Sequence, residues 1–302
     1  MQKRHLPYSL LALCLILLLA NACSTATAKE QAMQKPALAD GQFHTIVDAA
    51  FVAQHVQAPM AEDEMIIDAR PRRPKYDQGH IPMAVSIPDS RFDELAGLLP
   101  KNKDALLIFY CGGLKCNLSH KSAYKAEKLG YRNVKVFAEG FPGWMKVQGH
   151  YASVSPQWMK QQIDKGAGLT IVDSRPKRAK YDKGHLPTAV SIPFSQFDKL
   201  GHLLPADKSK PVVFYCGGLK CPLSHKSAAK AIALGYTNVR VFSEGFPAWK
   251  KIAGLFICGT GARSGESYYM VKDLMPGLKN VYYLDGELTI QKGGTFTLKK
   301  PV

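Results

Sequence analysis

The chain reads as a tandem α/β protein: two units, each a central, mostly parallel sheet flanked by helices, followed by a C-terminal partial repeat. Two observations carry that reading. Ile66–Trp144 aligns without a gap onto Ile171–Trp249, 105 residues further on, and 52 of those 79 positions are identical. A unit of that size is large enough to be a domain. Within each copy, short runs that are apolar at consecutive positions alternate with helical patterns, as in a parallel sheet covered on both faces.

The elements follow in order. Asp48 and Ser155 are placed to cap an early helix in each unit, because their side-chain oxygens can accept from the first free backbone N–H groups. Met65-Ile66-Ile67 and Thr170-Ile171-Val172 form strands leading into Asp68 and Asp173. Leu106–Tyr110 and Val212–Tyr215 are apolar throughout and end on Cys111 and Cys216. Ser119–Leu129 and Ser224–Leu234 then read as helices, with Ser as the starting cap, alanines for close packing, and Gly130 or Gly235 as the stop. Asn133–Phe137 and Asn238–Phe242 supply the next strand. The chain is expected to divide into units 43–151 and 152–255, joined near Gly149–Val154.

The tail repeats part of this pattern. Leu255-Phe256-Ile257-Cys258 again ends an apolar run on a cysteine, and Gly277, Asn280 and Val281 follow it at the spacing of Gly130, Asn133 and Val134. Cys258 comes too soon after Cys216 for the front half of a unit to fit between them. Residues 256–302 are therefore expected to be a partial third unit or an extension.

The N-terminus has the form of an export signal over residues 1–22: basic Lys3 and Arg4, the apolar run Leu10–Ala20, then small residues before Cys23. The run is short for a membrane span. The small residues before Cys23 resemble a bacterial lipoprotein processing site, which would make Cys23 the lipidated first residue. Ordinary cleavage near Ala22 is the alternative. Residues 23–42 read as a flexible tether. The expected location is the bacterial cell envelope, with the protein lipid-anchored and facing the periplasm. A net charge of +16 favours anionic partners. The basic residues are scattered and no nucleic-acid-binding motif accompanies them, so no nucleic-acid partner is expected.

Of seven cysteines, removing Cys14 with the signal and Cys23 with the lipid leaves Cys111, Cys116, Cys216, Cys221 and Cys258. An odd set in an exported protein argues against a purely structural disulfide framework. Each repeat carries the loop Cys-Gly-Gly-Leu-Lys-Cys: Cys111, Gly112, Gly113, Leu114, Lys115 and Cys116, then Cys216, Gly217, Gly218, Leu219, Lys220 and Cys221. A cysteine between a strand and a helix is placed to be a thiolate, because loop N–H groups and the helix N-terminus favour negative charge. Lys115, Lys220, His120, Lys121, His225 and Lys226 are expected to add positive charge around the mouth.

These pieces together resemble the rhodanese family of sulfurtransferases. The match runs through Asp68-Ala69-Arg70 and Asp173-Ser174-Arg175, then Gly79-His80-Ile81-Pro82 and Gly184-His185-Leu186-Pro187. It continues through Cys111 and Cys216 to Glu139-Gly140-Phe141-Pro142-Gly143-Trp144 and Glu244-Gly245-Phe246-Pro247-Ala248-Trp249. The resemblance implies two tandem rhodanese-like domains in which Cys111 and Cys216 take sulfane sulfur from a small anionic donor such as thiosulfate. As persulfides they would pass it to a thiol or to cyanide, with no cofactor and no metal. Asp68, Arg70, His80, Asp173, Arg175 and His185 are read as supporting residues: a salt bridge and a tight turn. The Gly-Phe-Pro segments are read as core packing.

Three departures bear on function. Cys116 and Cys221 stand where the family commonly has Arg or Thr, with Ser119 and Ser224 further on, so the usual contact to a donor anion is changed. A Cys-x4-Cys loop can curl until its sulfurs bond, although a loop-closing role for the second cysteine is also open. Neither full repeat has the Arg that phosphatase and arsenate-reductase relatives use to grip a tetrahedral dianion. Only Cys258, followed by Arg263, has that form, which makes it a possible third site. Sulfur transfer leads, with a dithiol–disulfide redox or oxyanion-handling protein and a non-catalytic sulfur- or metal-binding module as alternatives.

Overall fold

Consecutive apolar residues in a strand point to opposite faces, so a run such as Leu106–Tyr110 needs cover on both sides. The computed structural model supplies it. It describes residues 41–252 and, beyond them, the backbone of four short strands. The expected signal at 1–22, Cys23, the tether up to residue 40, Cys258 and Arg263 lie outside the described residues.

The first unit runs β1 (Ile46–Val47), α1 (Ala49–His55), β2 (Glu64–Asp68), β3 (Val85–Ser86), α2 (Phe92–Leu95), β4 (Leu106–Tyr110), α3 (Leu118–Lys128), β5 (Val134–Phe137) and α4 (Gly140–Lys146). Its five strands are parallel in the order β1-β5-β4-β2-β3. The second unit repeats this as β6 (Ala152–Ser153), α5 (Pro156–Asp164), β7 (Thr170–Asp173), β8 (Val190–Ser191), α6 (Phe197–Leu200), β9 (Val212–Tyr215), α7 (Leu223–Ala233), β10 (Val239–Phe242) and α8 (Gly245–Ile252). Its order is β6-β10-β9-β7-β8, again all parallel.

Each sheet separates two apolar layers. On one face of the first, Ile67, Leu107, Phe109 and Val136 pack with Ala123 and Ala126 of α3. On the other, Ile66, Ile108, Tyr110 and Phe137 pack with Val52 of α1 and Trp144 of α4. The second sheet does the same with Ala228 and Ala231 on one side and Trp249 on the other. The small helix residues let α3 and α7 lie close to the strand that ends on the loop cysteine, so the loop starts from a rigid base.

The capping expectations divide. Asp48 accepts from Phe51 N at 2.8 Å and Ser155 from Trp158 N at 3.1 Å, as read from the sequence. Ser119 and Ser224 do not cap their helices. α3 and α7 begin one residue earlier, with Asn117 and Pro222 at the caps and no side-chain cap bond. The serines are buried inside the first turn and turn towards the loop cysteines instead.

Beyond the second sheet, β11 (Leu255–Phe256) pairs in parallel with β12 (Tyr282–Tyr283), and β13 (Glu287–Ile290) pairs antiparallel with β14 (Phe296–Lys299). Leu255 pairs with Tyr282 as Ile108 pairs with Lys135 and Val213 with Arg240, each pair separated by the same length of chain. The antiparallel pair has no counterpart in the two full sheets.

Candidate active site

The strand-end carboxylates anchor the floor of each site. Asp68 takes a fork of bonds from Arg70, at 2.9 Å from Nε and 2.5 Å from Nη2, and accepts from Tyr110 Oη at 2.8 Å. Arg70 Nη2 also donates to Gly79 O at 2.8 Å. Asp173, Arg175, Tyr215 and Gly184 O repeat the arrangement. These charges are buried and fully engaged, so they fix the strand ends and the following turn. A buried pair of this kind is costly to break, although its net contribution to stability is small.

Above this floor sits the cysteine loop. Gly140, at φ +59°, lies so close to it that a Cβ would fall 2.3 Å from Cys111 O, and Phe141 N donates to that same oxygen at 3.0 Å. Gly245 and Phe246 clamp Cys216 O in the same way. Only glycine combines this left-handed backbone with the absent side chain. The Gly-Phe-Pro segments therefore hold the cysteine backbone as well as filling the core, a role the sequence reading missed. Two glycines set against two cysteines in one order, twice over, were the available signal.

The sulfurs come next. Cys111 and Cys216 are fully buried, while Cys116 and Cys221 are half-buried, and all four are free thiols. Cys111 Sγ receives a hydrogen bond from Ser119 Oγ at 3.2 Å and donates to Cys116 O at 3.1 Å. Cys216 Sγ lies 3.1 Å from Ser224 Oγ and 3.0 Å from Cys221 O. Burial pushes the Cys111 thiol up. Its bond to Cys221 and burial push Cys216 up as well. Cys221 is drawn down to about 6 by the Cys216 thiol, by backbone N–H groups of Gly217 and Leu223, and by Arg175. In the second loop the two shifts run in opposite directions and favour Cys221 over Cys216 as the thiolate.

The expected charge at the mouth is also corrected. His120 is buried, its Nδ1 accepting from Phe43 N at 3.0 Å, and burial lowers its pKa. His225 is lowered to about 4 by burial. Both rings are neutral at neutral pH, whereas Lys115, Lys121, Lys220 and Lys226 are exposed. His80 is buried too, stacked on Tyr76 at 3.8 Å with Nδ1 2.9 Å from Tyr76 O, and burial lowers it to about 3. His185 makes the same stack on Tyr181 in an exposed position. Both histidines support the turn, as read from the sequence, and neither reaches the cysteines.

A cavity of about 650 Å³ opens beside the first loop. Gly112, Cys116 and Leu118 line it from the loop side, Phe141, Pro142 and Met145 from α4, and Val239 and Arg240 from the second unit. Cys116, not Cys111, is the thiol on its wall. Arg240 Nη1 donates to Gln78 O at 2.8 Å, and His80 and Ser153 exchange backbone bonds of 2.9 and 2.8 Å. The second unit thereby forms one side of the first unit's site.

No curated protein matches the chain. Solved structures do. A thiosulfate sulfurtransferase from Pseudomonas aeruginosa is 19% identical over 68% of this chain and 42% of its own, with a TM-score of 0.30. The chain thus spans less than half the length of that protein. SseA from Escherichia coli, described among 3-mercaptopyruvate sulfotransferases, is 19% identical over 67% of this chain and 98% of its own, with a TM-score of 0.28. A protein from Bacillus halodurans is 33% identical over 33% of this chain and 72% of its own, with a TM-score of 0.29. The rhodanese-like domain model matches twice, over residues 52–147 and 155–252. Those two stretches hold both cysteine loops, both Asp-x-Arg pairs and both glycine clamps, and the chain belongs to the rhodanese-like domain family.

Proposed function

We propose that the chain is a sulfurtransferase that moves sulfane sulfur from a small anionic donor such as thiosulfate to a thiol or to cyanide. Cys111 and Cys216 hold the sulfur as persulfides. The observation that carries this reading is the setting of those sulfurs. Each is held at a strand end by a serine hydroxyl from the first helical turn and by the backbone carbonyl of the loop's second cysteine, and is shielded from water. A loop thiolate attacks the outer sulfur of the donor, the S–S bond breaks, and sulfite leaves with the electron pair. An acceptor thiolate or cyanide then attacks the bound sulfur and frees the cysteine, so the protein is neither oxidised nor reduced over the cycle. Leu118 and Leu223 stand at the start of the helices where a dianion-gripping Arg would be needed, which disfavours phosphoryl chemistry.

The rest of the proposal concerns place. The chain is exported and held at the membrane through lipid on Cys23, with its donor and acceptor met in the cell envelope. Cys258, followed in the sequence by Arg263, is the candidate for a third sulfur-carrying thiol.

Intact-mass measurement after donor treatment tests the activity. One added sulfur mass per loop is expected, lost when Cys111, Cys116, Cys216 and Cys221 are all changed to Ser. Transfer that survives the fourfold change would remove these loops from the reaction. A second reading rests on the two free cysteines that each loop carries: cycling between dithiol and disulfide. Disulfides forming with no persulfide at any time would put that reading first.

A further inference from the structure

The two cysteines of a loop are not equivalent. Cys111 is fully buried and does not reach the cavity; Cys116 is half-buried and lines it. Cys116 also folds back over the start of the loop. A Cβ on Gly112 would meet Cys116 Cβ at 3.6 Å and its Sγ at 3.8 Å, and in the second loop Gly217 would meet Cys221 at 3.5 and 3.8 Å. Each inner thiol donates to the backbone carbonyl of its outer partner, Cys111 Sγ to Cys116 O at 3.1 Å and Cys216 Sγ to Cys221 O at 3.0 Å. In the first loop a molecule arriving from the cavity therefore meets Cys116 first, while Cys111 is buried away from it.

We propose that sulfur enters each loop at its outer cysteine, Cys116 or Cys221, and is then handed inward to Cys111 or Cys216, so that each pair works as a two-station relay. This rests on the sulfurtransferase reading above and adds the route to it. In the second loop the Cys216 thiol and the backbone N–H groups of Gly217 and Leu223 draw the Cys221 thiol down. That sulfur is the better-stabilised thiolate of its pair, and the thiolate is the attacking form.

The chemistry balances without an oxidant. The outer thiolate attacks the sulfane sulfur of the donor, the donor's S–S bond breaks, and the remainder leaves with the bonding pair. The proton on the inner thiol then passes to the terminal sulfur of the new persulfide. The inner sulfur attacks that terminal sulfur, the outer S–S bond breaks, and the outer cysteine leaves as a thiolate ready for a second donor. The persulfide comes to rest at the buried position, beside the serine hydroxyl, where solvent oxidants do not reach it.

Trypsin cuts after Lys115 and Lys220, which places the two cysteines of each loop in separate peptides. One equivalent of inorganic polysulfide, a donor that any thiolate can attack, is added to the wild-type chain and quenched at intervals with iodoacetamide. Added sulfur should appear first on the Cys116 and Cys221 peptides and later on those of Cys111 and Cys216. Cys116→Ser with Cys221→Ser should slow uptake at least ~10-fold, since only the poorly ionised inner thiols remain. Cys111→Ser with Cys216→Ser, or the Ala equivalents if Ser is not tolerated in the buried site, should still take up sulfur but keep it on the outer cysteine.

Sulfur appearing first on the inner peptides, with uptake unchanged in the outer variants, would overturn the relay and leave sulfur transfer standing. A Cys111–Cys116 disulfide formed with released hydrosulfide would also overturn it, because the pair would then discharge sulfur rather than store it. Sulfane sulfur on none of the four cysteines would remove the sulfurtransferase reading as well.

Discussion

The turn after β2 in the first unit and the turn after β7 in the second have nearly the same sequence and different surroundings. Asp77 and His80 are buried, while Asp182 and His185 are exposed. The difference comes from β6, whose Ser153 bonds the backbone of His80, and from Ser155 N, which donates to Asp77 O at 3.2 Å. Two loops with the same residues therefore work in different settings, because a wall can be supplied by a neighbour. Within a unit, by contrast, the Asp-Arg-Tyr floor and the glycine clamp are matched bond for bond. Repetition has preserved what lies inside each sheet and changed what lies outside it.

The first way to test this comparison is through the floor, where the two units should respond alike. Asp68→Ala leaves Arg70 as an uncompensated buried charge, as Asp173→Ala does for Arg175, and each should cost about 3–5 kcal/mol. Urea melts of the two variants check this, and a large difference between them would break the equivalence of the floors. Next comes the clamp. Gly140→Ala and Gly245→Ala each drive a Cβ into a cysteine carbonyl at φ near +58°, at a cost of about 2–4 kcal/mol. Thiol reactivity in the affected loop should change along with stability.

The turn should separate the units. His80→Ala removes a buried stack and a hydrogen bond, for about 1–2 kcal/mol, whereas His185→Ala at the exposed site should cost under ~0.5 kcal/mol. The same residue gives a pH dependence. His80 is held neutral with its pKa lowered to about 3 against an ordinary 6.5. The unfolded chain therefore binds the proton more readily, and the stability linked to this group is complete above about pH 6.5 and lost as pH falls towards 3. His80→Gln should flatten that part of the acid-stability curve. The smallest effect is one of reactivity: iodoacetamide should label Cys221 with a rate that rises through about pH 6, while Cys216 stays slow at neutral pH.

Much of this architecture is legible in the sequence, for reasons specific to its elements. Strands β4 and β9 are apolar at every position, which has few explanations other than a strand buried on both faces. Asp48 and Ser155 stand directly before the helices they cap. Ser119 and Ser224 were misread because a serine at a helix start serves equally well as a cap or, one residue further in, as a partner for something behind it. The two-residue strands β1, β3, β6 and β8 are too short to leave a periodic trace. His120 and His225 count as possible charge in a sequence and become neutral only through burial, which no local pattern records. In the same way, Cys-x4-Cys shows that two sulfurs are near one another and does not show which of them meets the cavity.

The bridge between His80 and Ser153 joins the turn of one unit to the opening strand of the next. Its two sides are different surfaces, so the contact runs head to tail. Joints of that type do not close on themselves as a two-fold contact does. The turn of the second unit presents His185 in the same local conformation, with its stack on Tyr181 in place. A chain that grew by adding units of this kind would need no new interface, because each added unit would dock by its first strand on the turn before it. Gene duplication could thus lengthen such a protein stepwise, and every site except the last would receive a wall from its successor.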